Sequence, residues 1–132
     1  MKVVAFLCNW CSYEASIGAG SKRLACPSDV VFIRTMCTGM INPQAVLAAL
    51  ARGADGVIIL GCHPGDCHYQ NGNLHALRRV ALLKKLLSKN GIDPGRLILD
   101  WVSASESDRF ALVVNSAYNK IASAVKIAST RD

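Results

Sequence analysis

The stretch KVVAFLCNWC (residues 2–11) decides the fold, because it runs as a short apolar strand directly into two closely spaced cysteines. Three other segments have the same apolar, largely β-branched character without a polar alternation. Such segments are typical of strands that are covered on both faces of a sheet. The sequence therefore predicts four strands, at Val3–Cys8, Val30–Met36, Gly56–Gly61 and Leu97–Val102.

Helical segments follow each of these strands. Glycines weaken the first of them, whereas an asparagine N-cap followed by proline marks the second clearly. We predict helices over Tyr13–Leu24, between Asn42 and Gly53, over Asn73–Asn90, and from about Glu106 onward with Ser105 as N-cap. The positions expected to be buried are Val46, Leu47 and Leu50 in the second helix, Leu77, Val80, Leu83 and Leu87 in the third, and Phe110, Val114, Ala117, Ile121, Ala124 and Ala128 in the last.

The alternation of strand and helix predicts a parallel sheet built from right-handed crossover units. A chain of 132 residues suits one domain of this kind. We therefore expect residues 1–132 to form a single α/β domain, a three-layer sandwich with a four-stranded parallel sheet of the flavodoxin or Rossmann kind. Such sheets bind their ligands beyond the carboxyl ends of the strands, where the strand order reverses.

The composition excludes several classes of protein. With 52% hydrophobic and 18% charged residues the chain can bury a core, so disorder is excluded. No apolar run reaches the roughly 18–20 residues of a membrane span, and the N-terminus lacks the pattern of a signal peptide. We therefore expect a cytoplasmic protein without membrane contact. In that reducing compartment its six cysteines serve metal binding or catalysis rather than disulfides.

The net charge of +6 comes from dispersed lysines and arginines. The densest group lies at helical spacing on the third predicted helix and consists of Arg78, Arg79, Lys84, Lys85 and Lys89. This pattern predicts either a solvated outer face or a surface for an acidic protein partner. Aromatic residues do not alternate with the basic ones and no nucleic-acid-binding motif is present, so we expect no nucleic acid partner.

Five of the six cysteines lie where three of the predicted strands end: Cys8, Cys11, Cys37, Cys62 and Cys67. Because the carboxyl ends of parallel strands meet at one edge of a sheet, we expect these thiols to lie close together. Cys26 precedes the second strand, which places it at the opposite edge, so we expect it not to be a ligand. Thiolates gathered in this way are what a metal ion or an iron–sulfur cluster requires.

Three kinds of site use thiols in such an arrangement. Cys8 and Cys11 alone resemble a thiol–disulfide oxidoreductase motif at a helix start, but that interpretation leaves the other three cysteines without a role. Structural zinc usually takes two close-spaced pairs, whereas the spacing here is C-x2-C, a single cysteine and C-x4-C. An iron–sulfur cluster fits best, and ligands drawn from separate strand ends favour a [2Fe–2S] centre over a cubane.

Residues beside these cysteines suit the same interpretation. Gly39 and Gly61 let the backbone approach closely. His63 and His68 are expected to make hydrogen bonds near the ligands or surface contacts, and Trp10 either shields the site or packs in the core. The sequence contains no catalytic acid–base pair, phosphate-binding loop or nucleophile–base arrangement. We therefore expect an electron carrier that is not an enzyme by itself.

Four motifs resemble the delta subunit family of methyl-viologen-reducing hydrogenase: FLCNWCSY (residues 6–13), IRTMCTG (33–39), ADGVIILGCHPGDCHYQNGN (54–73) and WVSASE (101–106). The resemblance covers nearly the whole chain. It implies a [2Fe–2S] protein that links a hydrogenase, or a formate dehydrogenase, to a soluble heterodisulfide reductase and passes electrons to the flavin-bearing subunit of that complex. It also implies that four of the five cysteines at the strand ends are the ligands. Cys26 lies where the family does not generally carry cysteine.

Overall fold

Four parallel strands form the central sheet of this computed structural model, which describes residues 1–63 and 72–130. The strands are β1 (Val3–Cys8), β2 (Val30–Thr35), β3 (Gly56–Gly61) and β4 (Leu97–Trp101). Their spatial order is β2-β1-β3-β4, and each neighbouring pair is parallel. The predicted sheet is confirmed: two strands have the expected bounds and two are one residue shorter.

Helices cover both faces of this sheet. They are α1 (Ser12–Ser21), α2 (Pro43–Ala51), α3 (Gly72–Lys89) and α4 (Ser107–Thr130), with 3-10 turns at Thr38–Met40 and Pro94–Arg96. The helix α2 begins as predicted, because the Asn42 side chain accepts a hydrogen bond from the backbone N–H of Gln44 at 2.9 Å. It ends before Gly53, whose φ of +104° suits glycine.

Two apolar cores lie on opposite faces of the sheet, and successive side chains of each central strand alternate between them. The first core joins Val3, Ala5 and Leu7 of β1 and Ile58 and Leu60 of β3 to buried residues of α1 and α4. The second joins Phe6, Val57 and Ile59 to buried residues of α2 and α3. The protein is therefore the expected three-layer α/β sandwich of the flavodoxin or Rossmann kind.

The strand β2 differs from the expectation that every strand is covered on both faces. Its Val31 and Ile33 side chains are 52% and 40% exposed, although both are apolar and β-branched. The strand lies at the edge of the sheet, and α2 packs over β3 instead of over β2. The expectation was wrong for this strand because an apolar sequence does not tell an edge strand from a central one.

Some expected buried positions are also exposed. Leu77 is 47% exposed, whereas Ala76 takes the buried position on that turn of α3. Leu47 of α2 is exposed as well, and Leu50 is only partly buried. The stripe on α4 is buried as expected at Phe110, Val114, Ala117, Ile121 and Ala124, and the side chain of Ala128 lies outside the described residues.

Two helix ends differ from the sequence prediction. The helix α1 ends at Ser21 rather than Leu24, and Arg23 adopts a φ of +56°. At the start of α4, Glu106 and not Ser105 occupies the capping position, since its carbonyl accepts the hydrogen bond from the Phe110 N–H at 2.9 Å. Within the described residues, no helix has the length and apolar character needed to cross a membrane.

Candidate metal centre

The site lies where the strand order reverses. The chain leaves β1 through α1 toward β2 on one side, and then returns through α2 to β3 on the other side of β1. A crevice at the carboxyl ends of β1 and β3 is the usual place for a ligand in such a sheet. Cys8 ends β1, Cys11 directly precedes α1, and Cys62 directly follows β3. The topology therefore brings three cysteines to this crevice.

The three thiol groups are in contact. The Cys62 Sγ lies 3.0 Å from the Cys11 Sγ and 3.7 Å from the Cys8 Sγ, and all three sulfur atoms lie within 4.8 Å of one another. Each residue is at most 4% exposed, and the three form a buried cluster separate from the two apolar cores. Residues far apart in sequence thus present their sulfur atoms to one point.

This donor set fits a thiolate-bound metal. A tetrahedral metal with metal–sulfur bonds of about 2.3 Å holds its sulfur atoms roughly 3.8 Å apart. The Cys8–Cys62 separation of 3.7 Å agrees with that value, and the Cys11–Cys62 separation of 3.0 Å is shorter. The sulfur atoms would need to move apart by less than an ångström to share one ion. Soft, buried thiolates select iron–sulfur clusters or zinc over hard cations.

The thiols of Cys8 and Cys11 have pKa values shifted in opposite directions. Hydrogen bonds from Cys11 and then from Cys62 lower the pKa of Cys8 to about 3, because they stabilise a thiolate there. The pKa of Cys11 is raised, first by its hydrogen bond with Cys62, then by that with Cys8 and by burial. One thiolate therefore forms readily, and a second is opposed by the first. A bound cation would remove that opposition, since metal binding releases the thiol protons.

Cys37 is not part of the mutually close thiol group found among the described residues. It is buried at the end of β2, and its Sγ accepts a hydrogen bond from the Gly39 N–H at 3.4 Å. The preceding carbonyl, that of Met36, lies 4.0 Å from the Cys8 Sγ. The segment of Cys37 therefore contacts the site directly.

The sequence also made predictions for Cys67 and Cys26. Cys67 and His68 lie outside the described residues, so their expected roles remain predictions. Cys26 is partly buried against the core that α1 and α4 share, and burial raises the pKa of its thiol. It comes before β2 at the amino ends of the strands and is not in the thiol group.

Ser12 is a residue of the site that the sequence interpretation missed. It is fully buried, and its Oγ accepts a hydrogen bond from the Cys8 N–H at 2.8 Å and donates one to the Leu60 carbonyl at 2.7 Å. The hydroxyl thereby joins the end of β1 to the end of β3. The available signal was a serine immediately after the second cysteine of a C-x2-C motif that opens a helix.

Asn73 supports Cys62 from the other side. Its side-chain amide donates hydrogen bonds to the carbonyls of Cys62 and His63 at 3.0 and 2.9 Å, and the residue is 1% exposed. The sequence indicated only the start of a helix at this position. The bonds connect the first turn of α3 to the thiol-bearing segment after β3, which orients that segment toward the crevice.

A close backbone contact joins the Cys37 segment to α3. A Cβ on Gly39 would lie 2.7 Å from the Gly72 Cα and 2.8 Å from the Gly72 carbonyl oxygen, which leaves room only for glycine. The Arg79 guanidinium donates hydrogen bonds to the carbonyls of Gly39 and Ile41. Arg79 therefore connects α3 to the segment that follows Cys37, in addition to lying on the basic face of that helix.

Large apolar side chains are exposed around the thiols. Trp10 lies between Cys8 and Cys11 and is 40% exposed, so it does not pack in the core. Met36 and Met40, on either side of the Cys37 segment, are exposed as well. Flexible methionines and an aromatic ring at a surface are typical of protein contacts. The edge with the thiols therefore has the character of a contact surface.

The chain is similar to proteins that are named as iron-sulfur subunits. A family model described as methyl-viologen-reducing hydrogenase, delta subunit, matches residues 3–124. The chain is 47% identical over 120 residues to the vhc iron-sulfur subunit of the F420-non-reducing hydrogenase of Methanococcus voltae, covering 91% of this chain and 83% of the relative. It is 50% identical over 112 residues to the iron-sulfur subunit of the F420-non-reducing hydrogenase of Archaeoglobus profundus, covering 85% and 82%.

A longer relative contains a similar region. The chain is 46% identical over 113 residues to one subunit of the Ferredoxin/F(420)H(2)-dependent CoB-CoM heterodisulfide reductase of Methanosarcina acetivorans. The match covers 86% of this chain but only 14% of that relative. A region similar to this chain therefore occurs both in short subunits and within a much longer polypeptide.

Proposed function

The chain belongs to the methyl-viologen-reducing hydrogenase delta subunit family, and from this premise we propose that it is a [2Fe–2S] electron-transfer subunit. In this proposal it receives electrons from a hydrogenase and passes them to the flavin-bearing subunit of a soluble heterodisulfide reductase complex in the cytoplasm. Residues 1–132 act as one electron-transfer domain. The observation that carries the proposal is the convergence of three buried thiols at the strand-order reversal.

The proposed ligands are four of the five cysteines that the sequence places at the strand ends. Cys8, Cys11 and Cys62 are three of them, because their sulfur atoms are already in contact. The fourth comes from Cys37, which lies on the adjacent strand end, or from Cys67. Ligands from separate strand ends suit two irons bridged by two sulfides better than they suit a cubane, which supports the [2Fe–2S] assignment.

When bound, such a cluster supplies one-electron chemistry at a potential that its surroundings set. The protein holds the thiolates in a buried crevice and so excludes water from the sulfur atoms. The Gly39 N–H already donates to the Cys37 Sγ, and hydrogen bonds of this kind stabilise added negative charge on sulfur. Nothing in this arrangement requires the chain to bind or convert a substrate by itself.

The partners follow from the relatives and from the surface of the site. Short relatives are named as hydrogenase subunits, and a long relative is named as part of a heterodisulfide reductase. A non-covalent complex with such a reductase would reproduce the proximity that the long polypeptide provides. The exposed Trp10, Met36 and Met40 supply an apolar contact surface at the thiol edge. A formate dehydrogenase is the alternative electron donor.

Anaerobic purification followed by metal and sulfide assays tests the proposal. We expect about two irons and two acid-labile sulfides per chain, with an absorption spectrum that bleaches when the protein is reduced. An iron-free protein with a redox-active disulfide would instead support a thiol–disulfide oxidoreductase. Zinc without sulfide would indicate a structural site. Either of these two results would contradict the electron-transfer proposal.

Matched cysteine variants test the ligand set. We expect Cys62→Ala to lose the visible absorption and most of the bound iron, because it removes a thiolate from the centre of the group. Cys26→Ala is the control and keeps both, since Cys26 is not in that group. Comparing Cys37→Ala with Cys67→Ala identifies the fourth ligand as the one whose loss bleaches the protein. Full colour in Cys62→Ala would show that the proposed ligands are wrong.

A further inference from the structure

The hydrogen-bonded ladder between β1 and β3 ends early at its carboxyl end. The pairing of β1 with β2 extends to Cys8 and Thr35, and the pairing of β3 with β4 extends to Gly61 and Trp101. Between β1 and β3 the last pair is Leu7 with Leu60, so Cys8 and Gly61 are left unpaired with each other. The β1–β3 ladder therefore ends one residue pair before its neighbours, at the place where the thiols converge.

The Ser12 hydroxyl lies at this end of the ladder. It accepts from the Cys8 N–H at 2.8 Å and donates to the Leu60 carbonyl at 2.7 Å. The hydroxyl thus links the carboxyl ends of the two strands through a side chain.

The same serine is connected to every segment that carries one of the converging thiols. It follows Cys11 directly in the chain, it is bonded to the backbone of Cys8, and it is bonded to Leu60, two residues before Cys62. Its position at the first residue of α1 is set by the start of that helix. Within the described residues, its hydroxyl is fully buried and both of its bonds are internal.

We propose that Ser12 is a positioning residue that ties β1 to β3 at their carboxyl ends and thereby sets the spacing of Cys8, Cys11 and Cys62 for metal binding. This inference rests on the proposed function only in taking those three cysteines as ligands. Ser12 does not coordinate the metal itself. It acts through the backbone of the residues that do.

Removal of the hydroxyl leaves two buried groups without their partner. In Ser12→Ala the Cys8 N–H and the Leu60 carbonyl lose the hydroxyl that links them, which is unfavourable in a dry interior. Without this link the end of β1 can shift relative to the end of β3, and Cys8 with it relative to Cys62, whose sulfur atoms are now 3.7 Å apart. The thiols would then no longer match the geometry of one metal centre.

Titration of the purified, metal-free chain with Co²⁺ tests the inference. Co²⁺ bound by thiolates gives a sulfur-to-metal charge-transfer absorption, so its spectrum reports the number and geometry of the sulfur ligands. We expect Ser12→Ala to bind Co²⁺ about tenfold or more weakly than the wild-type chain and to give an altered spectrum, in line with the effect of residues that orient metal ligands. A purely structural role would lower the unfolding temperature and leave the spectrum of the bound metal unchanged.

Ser16→Ala is the matched control. Ser16 lies one turn along the same helix, and its hydroxyl donates to the Tyr13 carbonyl of that helix. We expect this variant to bind Co²⁺ like the wild-type chain. Wild-type affinity and spectrum in Ser12→Ala would overturn the inference, as would an equal loss in both variants.

Two further results separate the inference from the proposed function. If Ser12→Ala does not fold, amide hydrogen exchange in the wild-type chain takes its place: slow exchange at Cys8 supports the bridge, and rapid exchange overturns it. If the native protein holds neither iron nor sulfide but its Co²⁺ affinity depends on Ser12, the electron-transfer proposal fails and the role of Ser12 stands. If a native [2Fe–2S] cluster is present and Ser12→Ala leaves Co²⁺ binding unchanged, the electron-transfer proposal stands and the role of Ser12 is overturned.

Discussion

His63, which follows Cys62, and Glu106 form a hydrogen-bonded contact. The His63 Nε2 lies 2.5 Å from the Glu106 Oε1, and that carboxylate also accepts a hydrogen bond from the Ser103 N–H at 2.9 Å. These bonds, first that of Ser103 and then that of His63, lower the pKa of Glu106 to about 2. The pair links the segment after Cys62 to the start of α4. His63 therefore makes one of the hydrogen bonds near the ligands that its position beside Cys62 predicts.

This contact predicts a pH dependence of stability in acid. A carboxyl group whose folded-state pKa lies below its unfolded-state value stabilises the protein above the unfolded-state value, and the contribution is lost as the pH falls. For Glu106 that loss occurs between about pH 4.5 and about pH 2. We expect urea denaturation of the metal-free chain to show a steeper fall in unfolding free energy over this range than Glu106→Gln shows. Equal slopes would contradict the proposed pairing.

At the scale of elements, the 3-10 turn Thr38–Met40 and the start of α3 determine where the Cys37 segment lies. The contact depends on the absence of a side chain at Gly39, whose added Cβ would meet the backbone of Gly72. Backbone atoms cannot move aside as a flexible side chain can, so the turn or the helix must shift. This contact keeps the end of β2 against the crevice.

A pair of glycine variants tests this contact. We expect Gly39→Ala to destabilise the protein by about 1–3 kcal/mol, as overpacking does. Gly20→Ala is the control, because a Cβ there meets nothing within 4 Å and glycine weakens a helix such as α1. It should stabilise the protein by about 0.5–1 kcal/mol. Chemical denaturation measures both changes, and a neutral Gly39→Ala would show that the turn is loosely packed.

The exposure of the edge strand β2 could not be predicted from its sequence pattern. Its residues read like those of β3, yet β3 is buried throughout and β2 exposes Val31, Phe32 and Ile33. Burial of a strand depends on its neighbours in space, and the order of the strands is a property of the whole sheet. The exposed apolar edge is open to contact with another protein, as edge strands generally are.

For the whole molecule, the sequence predicted the fold class, the four strands and the edge of the sheet that carries the site. These features follow from apolar runs, helix punctuation and the geometry of parallel sheets, all of which are local signals or general rules. It did not predict Ser12 or the role of Asn73, because their bonding partners are backbone atoms of segments distant in sequence. It also left the ligand set open, since five cysteines at one edge exceed four ligand positions.

Metal loading should raise the stability of the molecule without being needed for folding. The two apolar cores lie apart from the thiol cluster, so the metal-free chain is expected to stay folded. Free Co²⁺ at about 100 times its Kd contributes about 2.7 kcal/mol, which corresponds to a rise of roughly 10 °C in the unfolding midpoint for a chain of this size. Thermal scans measure the rise, and a chelator should reverse it. The same rise in Cys62→Ala would place the bound metal elsewhere.

The distance in sequence between the converging sulfur atoms has a consequence for biosynthesis. Cys11 and Cys62 are 51 residues apart along the chain, and Cys8 and Cys62 are 54 apart. No short peptide of this protein can present the group of three thiols, and a nascent chain lacks it until β3 has left the ribosome and joined β1. If the proposed cluster binds there, its delivery acts on a chain in which β3 has joined β1, and a fragment that stops before β3 would emerge without the group of three thiols.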